Sequence, residues 1–210
     1  ATINKNTVPT NTPKIITYRP QGEKHWMLNN AQTDNKIYIS GDQATAQIAV
    51  AMPANLAKPL TKFQITDNYS AFVDDVKLVK ATVLENGKDV TSEYNITNEN
   101  GKAVATRKDA SKVNGGTATF VTTFQINNDV NGGKVLQNNG QVTVDTATTD
   151  VPPTKIVTWK PTATKDVEVG QVTGDTSASA NGKLVADGQM LTYPLSTNSL
   201  PAGRAEDITS

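Results

Sequence analysis

The chain has 210 residues, and its 20 Lys and Arg are balanced by 20 Asp and Glu, so the formal charge is zero. This balance argues against nucleic acid as a partner, because a basic face is needed to displace counterions, and against electrostatic attachment to an anionic membrane. There is no cysteine to form a disulfide, and no apolar run approaches the length of a transmembrane helix.

The predicted elements are short β-strands separated by turns. Strands are predicted at residues 14–18, 36–39, 42–52, 63–67, 76–84, 117–126 and 141–149, and turns at 85–88, 98–101, 114–116 and 138–140. β-Branched and aromatic residues fill the strands, Asn and Gly mark the turns, and no helical period recurs. This pattern predicts an all-β fold, a β-sandwich. It defines no conformation for residues 21–33.

One stretch of the sequence occurs twice. Residues 14–20, Lys-Ile-Ile-Thr-Tyr-Arg-Pro, return as residues 155–161, Lys-Ile-Val-Thr-Trp-Lys-Pro, an offset of 155 − 14 = 141 residues. A repeat of one domain length predicts an array of similar modules, each beginning with this strand. The predicted organisation is a linker at 1–13, a complete sandwich module at 14–150, and a linker with the first part of a second, truncated module at 151–210.

Three stretches, residues 59–70, 145–152 and 200–210, resemble the carboxy-terminal modules of the antigen I/II family of streptococcal cell-wall adhesins. The resemblance implies immunoglobulin-like sandwiches of the DEv-IgG type, arranged in tandem in a stalk that a sortase anchors to peptidoglycan. Many modules of that family are locked by an intramolecular isopeptide bond. The bond joins a Lys on the first strand to an Asn on the last strand, with the assistance of an Asp on a middle strand.

Carried onto this sequence, the resemblance implies Lys14 as the reacting amine and Asp67 as the assisting acid. The family's Asn falls at Asp145, so the bond would form between Lys and Asp and release water instead of ammonia. Lys155 is the corresponding lysine of the second module. A shift of one residue would put Thr146 at the partner position and forbid the bond. Release of ammonia would instead move the partner to an Asn at 138 or 139.

The chemistry requires these residue types in any family. A lysine amine is a nucleophile only when it is neutral, and burial favours the neutral form. A neighbouring acid can polarise the target carboxyl group and transfer protons. A covalent link across more than a hundred residues would stabilise the fold by roughly 4–5 kcal/mol, by the loop-entropy estimate made for disulfides.

Each candidate also has an ordinary structural interpretation. Lys14 is a typical solvated lysine at a strand edge, and Asp67 could simply begin an Asx turn. His25 and Trp26 are predicted to pack locally, because one His without Cys makes a transition-metal site improbable. No cofactor is predicted. A Ca²⁺ site at Asp34 and residues 74–75 stays open, although the spacing of a Ca²⁺ loop is missing.

These features predict a non-enzymatic stalk region of an extracellular, wall-anchored Gram-positive adhesin. The parent protein would bind a host or bacterial surface receptor, without nucleic acid and without membrane insertion, and parts outside this chain would attach it to peptidoglycan. One alternative is a module that itself grips a host glycoprotein or partner bacterium through residues 21–33. Another is an accessory β-domain of an extracellular carbohydrate-active enzyme, which the low aromatic content (5%) disfavours.

Overall fold

The computed structural model describes residues 2–3, 6–7, 14–170 and 179–206 of the chain. These residues form strands and short 3-10 helices at Ser70–Asp75, Thr91–Glu93 and Ala110–Lys112. The strands are β1 (Thr2–Ile3), β2 (Asn6–Thr7), β3 (Gly22–Leu28), β4 (Ala31–Gln32), β5 (Ile37–Ile39), β6 (Gln43–Ala51), β7 (Phe63–Asn68), β8 (Val76–Glu85), β9 (Lys88–Asp89), β10 (Tyr94–Glu99), β11 (Lys102–Arg107), β12 (Thr117–Ile126), β13 (Val135–Val144), β14 (Ala147–Trp159), β15 (Ala163–Lys165), β16 (Glu168–Val169), β17 (Leu191–Thr192) and β18 (Leu195–Thr197).

Twelve of these strands form two six-stranded sheets, in the orders β4-β3-β6-β12-β8-β9 and β10-β11-β7-β13-β14-β5. Neighbouring strands are antiparallel, except that β14 and β5 are parallel. Buried and less buried residues alternate along β6, β7, β12 and β13. Each sheet therefore turns one apolar face inward, and the predicted all-β sandwich is confirmed.

The core between the sheets contains an aromatic cluster. Trp26 and Phe124 are fully buried, and they pack with Tyr69 and Phe72 at ring-centroid distances of 4.8–6.3 Å. Burying a side chain of this kind stabilises a fold by about 1.5–3 kcal/mol. Trp26 therefore belongs to the main core of the sandwich. The sequence predicted only that it packs against nearby residues of the chain.

The structure differs from the prediction at the repeated stretch. Residues 14–20 form no strand, and Ile15 and Ile16 are 89% and 82% exposed. Residues 155–159 of the second copy lie in β14, where Ile156 is fully buried. The predicted module boundary at residue 150 falls in the middle of β14. In this sandwich, residues 155–159 of the second copy are thus part of the closing strand β14.

The predicted turn at residues 138–140 is also wrong. These residues lie in the middle of β13, which pairs with β7 on one side and β14 on the other. A Cβ added at Gly140 would lie 2.9 Å from Cδ1 of Ile48, so the glycine permits a close approach of the two sheets and not a turn. The true turn lies at residues 145–146, where Asp145 has a positive φ of 51°.

Two prolines produce a bulge beside this part of β13. Asn138 pairs with Thr154 and Gly140 pairs with Val151, so Pro152 and Pro153 face a single residue of β13. Proline has no N–H for the ladder and is confined to edges and bulges. The bulge shifts the alternation of β14, so that Val151 and Thr154 both point inward.

The rest of the described chain packs less extensively. Beyond residue 160, Ala180 is the one described hydrophobic residue that is buried. The pairs β15–β18 and β16–β17 are two short two-stranded antiparallel sheets. Residues 203–205 extend the edge of β5, since Ile37 N–H donates to Gly203 O at 3.0 Å and Ala205 N–H donates to Ile37 O at 2.8 Å.

Candidate functional site

Four of the buried polar side chains occupy inward positions on β3, β7, β12 and β13, where apolar residues would be expected. The alternation places Lys24 in phase with the buried Trp26 on β3, and the other three are similarly in phase with buried neighbours on β7, β12 and β13. Their exposed fractions are 4% for Lys24, 1% for Asp67, 0% for Thr122 and 0% for Asn138. Lys24 and Thr122 come from one sheet, and Asp67 and Asn138 come from the other.

Lys24 and Asp67 form a buried ion pair across the sandwich. Nζ of Lys24 lies 2.5 Å from Oδ1 of Asp67 and donates to the backbone carbonyl of Asn139 at 3.1 Å. The hydroxyl of Thr122 donates to Oδ2 of Asp67. Burial lowers the pKa of Lys24, and the attraction and hydrogen bond from Asp67 oppose that effect. A buried pair of this kind is weak as a source of stability, because removing both charges from water is costly.

Asn138 is the unusual member of the group. Its Nδ2 and Oδ1 are both buried without a hydrogen-bond partner. An unsatisfied buried polar group costs about 1–3 kcal/mol, and native structures contain few of them. The residue precedes Asn139, whose carbonyl receives the ammonium of Lys24. Asn138 is two residues from Gly140, the cross-strand partner of Asp67, and faces inward as Asp67 does. A lysine amine, a carboxyl group and an unpartnered carboxamide are therefore all buried between the two sheets.

The structure brings one of the predicted site residues into this buried group. Asp67 lies there, beside Lys24 and not beside Lys14. Lys14 is exposed and precedes the sandwich strands. Among the described residues, no hydrogen bond or ion pair joins Lys14 to Asp145. Lys155 is exposed on β14, with its neighbour Ile156 facing the core. The lysine beside Asp67 is therefore Lys24 and not Lys14.

Asp145 has a different environment from the one predicted. It is exposed in the turn between β13 and β14. Its Oδ1 accepts hydrogen bonds from the N–H of Thr61 at 2.7 Å, the hydroxyl of Thr61 at 2.8 Å and the N–H of Lys62 at 3.0 Å. These hydrogen bonds lower the pKa of Asp145. Asp145 is therefore an ionised cap of a turn, which is a poor target for an amine.

The sequence contains a signal for Lys24, which was not predicted, and for Asn138, which was predicted only as an alternative. Lys24 alternates with Trp26, and Asn138 alternates with Leu136 and Val142, all of them buried. A charged or amide residue in phase with an apolar face is a candidate for a buried polar site. Lys24 was not predicted because residues 21–33 were left without a conformation. Asn138 was named only as one of two alternative partners, because Asn139-Gly140 resembles a turn.

The remaining candidates are held in local interactions. Nδ1 of His25 lies 2.6 Å from Oδ2 of Asp34, whose Oδ1 accepts from the N–H of Trp26 and the hydroxyl of Thr154. Although burial favours the neutral form, hydrogen bonds from Thr154, His25 and Trp26 lower the pKa of Asp34. Asp75 pairs with Lys134 at 2.5 Å. Within the described residues, no three His, Cys, Asp or Glu side chains gather as metal ligands would.

No protein-family model matches the chain, and no curated protein matches it. Several solved structures do. The C-terminal domain of the antigen I/II polypeptide BspA of Streptococcus agalactiae matches with a TM-score of 0.58 and 12% identity, over 66% of this chain and 50% of that chain. The major pilin subunit BcpA of Bacillus cereus matches with a TM-score of 0.61 and 15% identity, over 86% and 56%. The C-terminal domain of the antigen I/II-family protein AspA of Streptococcus pyogenes matches with a TM-score of 0.55 and 13% identity, over 68% and 47%.

These similarities establish the fold. The chain has the sandwich of antigen I/II C-terminal domains and Gram-positive pilin subunits, so the immunoglobulin-like fold and the resemblance that implied it are confirmed. The chain spans about half the length of these structures. The matched proteins are adhesin and pilin domains and not enzymes. In the described part of the chain, no helix is long and apolar enough to cross a membrane.

Proposed function

We propose that this chain is a non-enzymatic stalk region of a Gram-positive surface adhesin, and that an isopeptide bond between Lys24 and Asn138 locks its sandwich. The observation that carries the proposal is the buried pair of Lys24 and Asp67, together with the unpartnered amide of Asn138, two residues along β13 from the cross-strand partner of Asp67. Lys24 and Asn138 replace Lys14 and Asp145 in the cross-link, and Asp67 keeps the role of assisting acid.

The reaction needs no further reagent. A proton passes from the Lys24 ammonium to Asp67, and the desolvated core favours the resulting neutral amine. Nζ of Lys24 attacks Cγ of Asn138, with Asp67 as the proton carrier. The Nζ–Cγ bond forms and the Cγ–Nδ2 bond breaks. Asp67 gives its first proton to the departing nitrogen and accepts the second proton that Nζ loses. The departing ammonia takes up that second proton and leaves as ammonium, which returns Asp67 to its carboxylate form.

The bond would connect the two sheets, because Lys24 lies on β3 and Asn138 lies on β13. It closes a loop of 138 − 24 = 114 residues, and loop entropy alone then contributes roughly 4–5 kcal/mol. Every strand between β3 and β13 would be protected from extension under tension. A module of this kind suits an extracellular stalk that must withstand force and proteases.

The rest of the proposal concerns the parent protein. It would be wall-anchored through parts outside this chain and would bind a host or bacterial receptor. The alternative of binding through residues 21–33 requires an exposed loop there. It is disfavoured because most of that segment is β3, which pairs with β6. Trp26 is buried and unavailable for sugar stacking, which further disfavours a carbohydrate-binding accessory domain.

A counterpart of Lys24 follows the second copy of the repeated stretch. Lys165 follows Lys155 by the same ten positions that separate Lys24 from Lys14, so its offset from Lys24 is 165 − 24 = 141 residues. Lys165 therefore replaces Lys155 as the candidate lysine of the second module. Its ammonium lies 4.8 Å from the ring centroid of Tyr193.

The test is the intact mass of the unfolded protein. We expect a mass one ammonia below the sequence value, and peptide mapping should find Lys24 joined to Asn138. The N138A variant should have its full sequence mass, whereas the matched N139A variant should keep the deficit. A deficit of one water would restore a bond between Lys and Asp, and a mass equal to the sequence value would refute the cross-link.

A further inference from the structure

The two copies of the repeated stretch have similar sequences and opposite environments. Lys, Ile, Thr and Pro are identical at positions 14, 15, 17 and 20 and at positions 155, 156, 158 and 161. Ile156 and Thr158 are 0% and 1% exposed, whereas Ile15 is 89% exposed. Two exposed isoleucines in succession are unusual on a polar chain, and a contiguous apolar surface commonly marks a contact site.

The second copy shows what this sequence does when it is paired. Residues 154–157 pair with residues 135–138 of β13, and residues 157–159 pair in parallel with β5. The side chain of Ile156 enters the core, and the hydroxyl of Thr158 donates to the carbonyl of Asn131 at 2.6 Å. The stretch thus closes the sheet by filling the gap between β13 and β5.

The first copy has equivalent residues at the positions through which the second copy packs into the sheet. Ile15 and Thr17 match the two inward residues, Ile16 matches Val157, and Pro20 ends the stretch as Pro161 does. Proline cannot donate to a ladder and is typical of a strand end. The hydroxyl of Tyr18 donates to the carbonyl of Ala51 at 2.7 Å, so the C-terminal end of the stretch is fixed to β6 of this module.

We infer that residues 14–19 are the closing strand of another sandwich of the same fold, which precedes this one in the polypeptide. Ile15 and Thr17 would enter the core of that module, between its equivalents of β13 and β5. The contact at Tyr18 would hold the same stretch against this module. Successive modules would then be joined directly from closing strand to first strand, and this inference does not depend on the isopeptide bond.

A fusion protein tests the inference. In the fusion, residues 1–154 are followed directly by residues 14–210. The upstream module therefore lacks its own β14 beyond Thr154. Only residues 14–19 of the downstream copy can supply its closing strand. The matched control joins residues 1–160 to residues 20–210, so that the upstream module keeps its own closing strand and the junction has the same length. We expect the amides of residues 15–18 to exchange at least about a hundredfold more slowly in the fusion than in the single chain. Both modules should unfold as they do in the control.

A variant of the junction tests whether residues 14–19 enter the upstream sandwich through their inward side chains or merely lie beside it. The substitutions I15D and T17D at the junction should unfold the upstream module and leave the downstream module folded. The same substitutions in the single chain should leave its melting temperature unchanged, because Ile15 is exposed there. The inference is overturned if the junction amides exchange as rapidly as in the single chain. It is also overturned if the upstream module is unfolded in the fusion and folded in the control.

Discussion

Replacing Asn138 with alanine removes the proposed cross-link and leaves the fold otherwise intact. Lys24 and Asp67 keep their ion pair, and the amide that lacked hydrogen-bond partners is gone. The principal loss is the constraint on the unfolded chain. For a closed loop of 114 residues, computed as 138 − 24, that constraint contributes roughly 4–5 kcal/mol to the free energy of unfolding.

This loss of stability corresponds to a decrease in melting temperature. Unfolding entropy is about 2.1 cal/mol/K per residue, so the ~140 residues from β3 to the end of β14 carry roughly 0.3 kcal/mol/K. Losing 4–5 kcal/mol should then lower the melting temperature by about 15 °C. Differential scanning calorimetry of the wild type and the N138A variant measures the difference directly.

The neighbouring residue provides the control for this experiment. Asn139 is partly exposed, and the N139A variant should keep both the mass deficit and a melting temperature near that of the wild type. If the wild type carries the cross-link and N138A melts within about 3 °C of it, the loop-entropy argument fails for this fold. If N139A and N138A lose the same stability, the assignment of the reacting residue is wrong.

Further predictions concern the acid, the free amine, the turn and force. The D67N variant should have its full sequence mass, because no acid carries the proton; a retained deficit would contradict that role. In N138A the lysine stays free, and burial lowers the pKa of Lys24, so the unfolded chain holds the proton more tightly. Stability of N138A to urea should therefore rise as pH increases towards the ordinary lysine value of 10.5, whereas a flat profile would contradict burial of the free amine. The D145A variant should keep the ammonia deficit, and its loss would restore Asp145 as a participant. In single-molecule pulling, the wild type should extend by about 40 nm less than N138A, because 114 residues at ~3.5 Å each stay enclosed; equal extensions would exclude the link.

The sequence alone determined the class of fold and many of its strands. The alternation of β6, β7 and β12 follows from the requirement that one face be apolar, and the predicted strands at 42–52, 63–67 and 117–126 agree with them within a residue or two. The turns at Gly87 and Gly101 were predicted because glycine adopts the positive φ that the structure shows there. These features depend on neighbours along the chain, so local sequence is sufficient for them.

Only the tertiary structure decided which side chains meet. Alternation places Lys24 and Asp67 on inward faces, but no local rule indicates that β3 and β7 lie opposite each other across the sandwich. It likewise took pairing with both β7 and β14 to override the turn signal at Asn139-Gly140. Residues 155–159 belong to this module because β13 and β5 are available as partners. Strand pairing and facing are long-range contacts, and their partners are fixed by how the whole core packs.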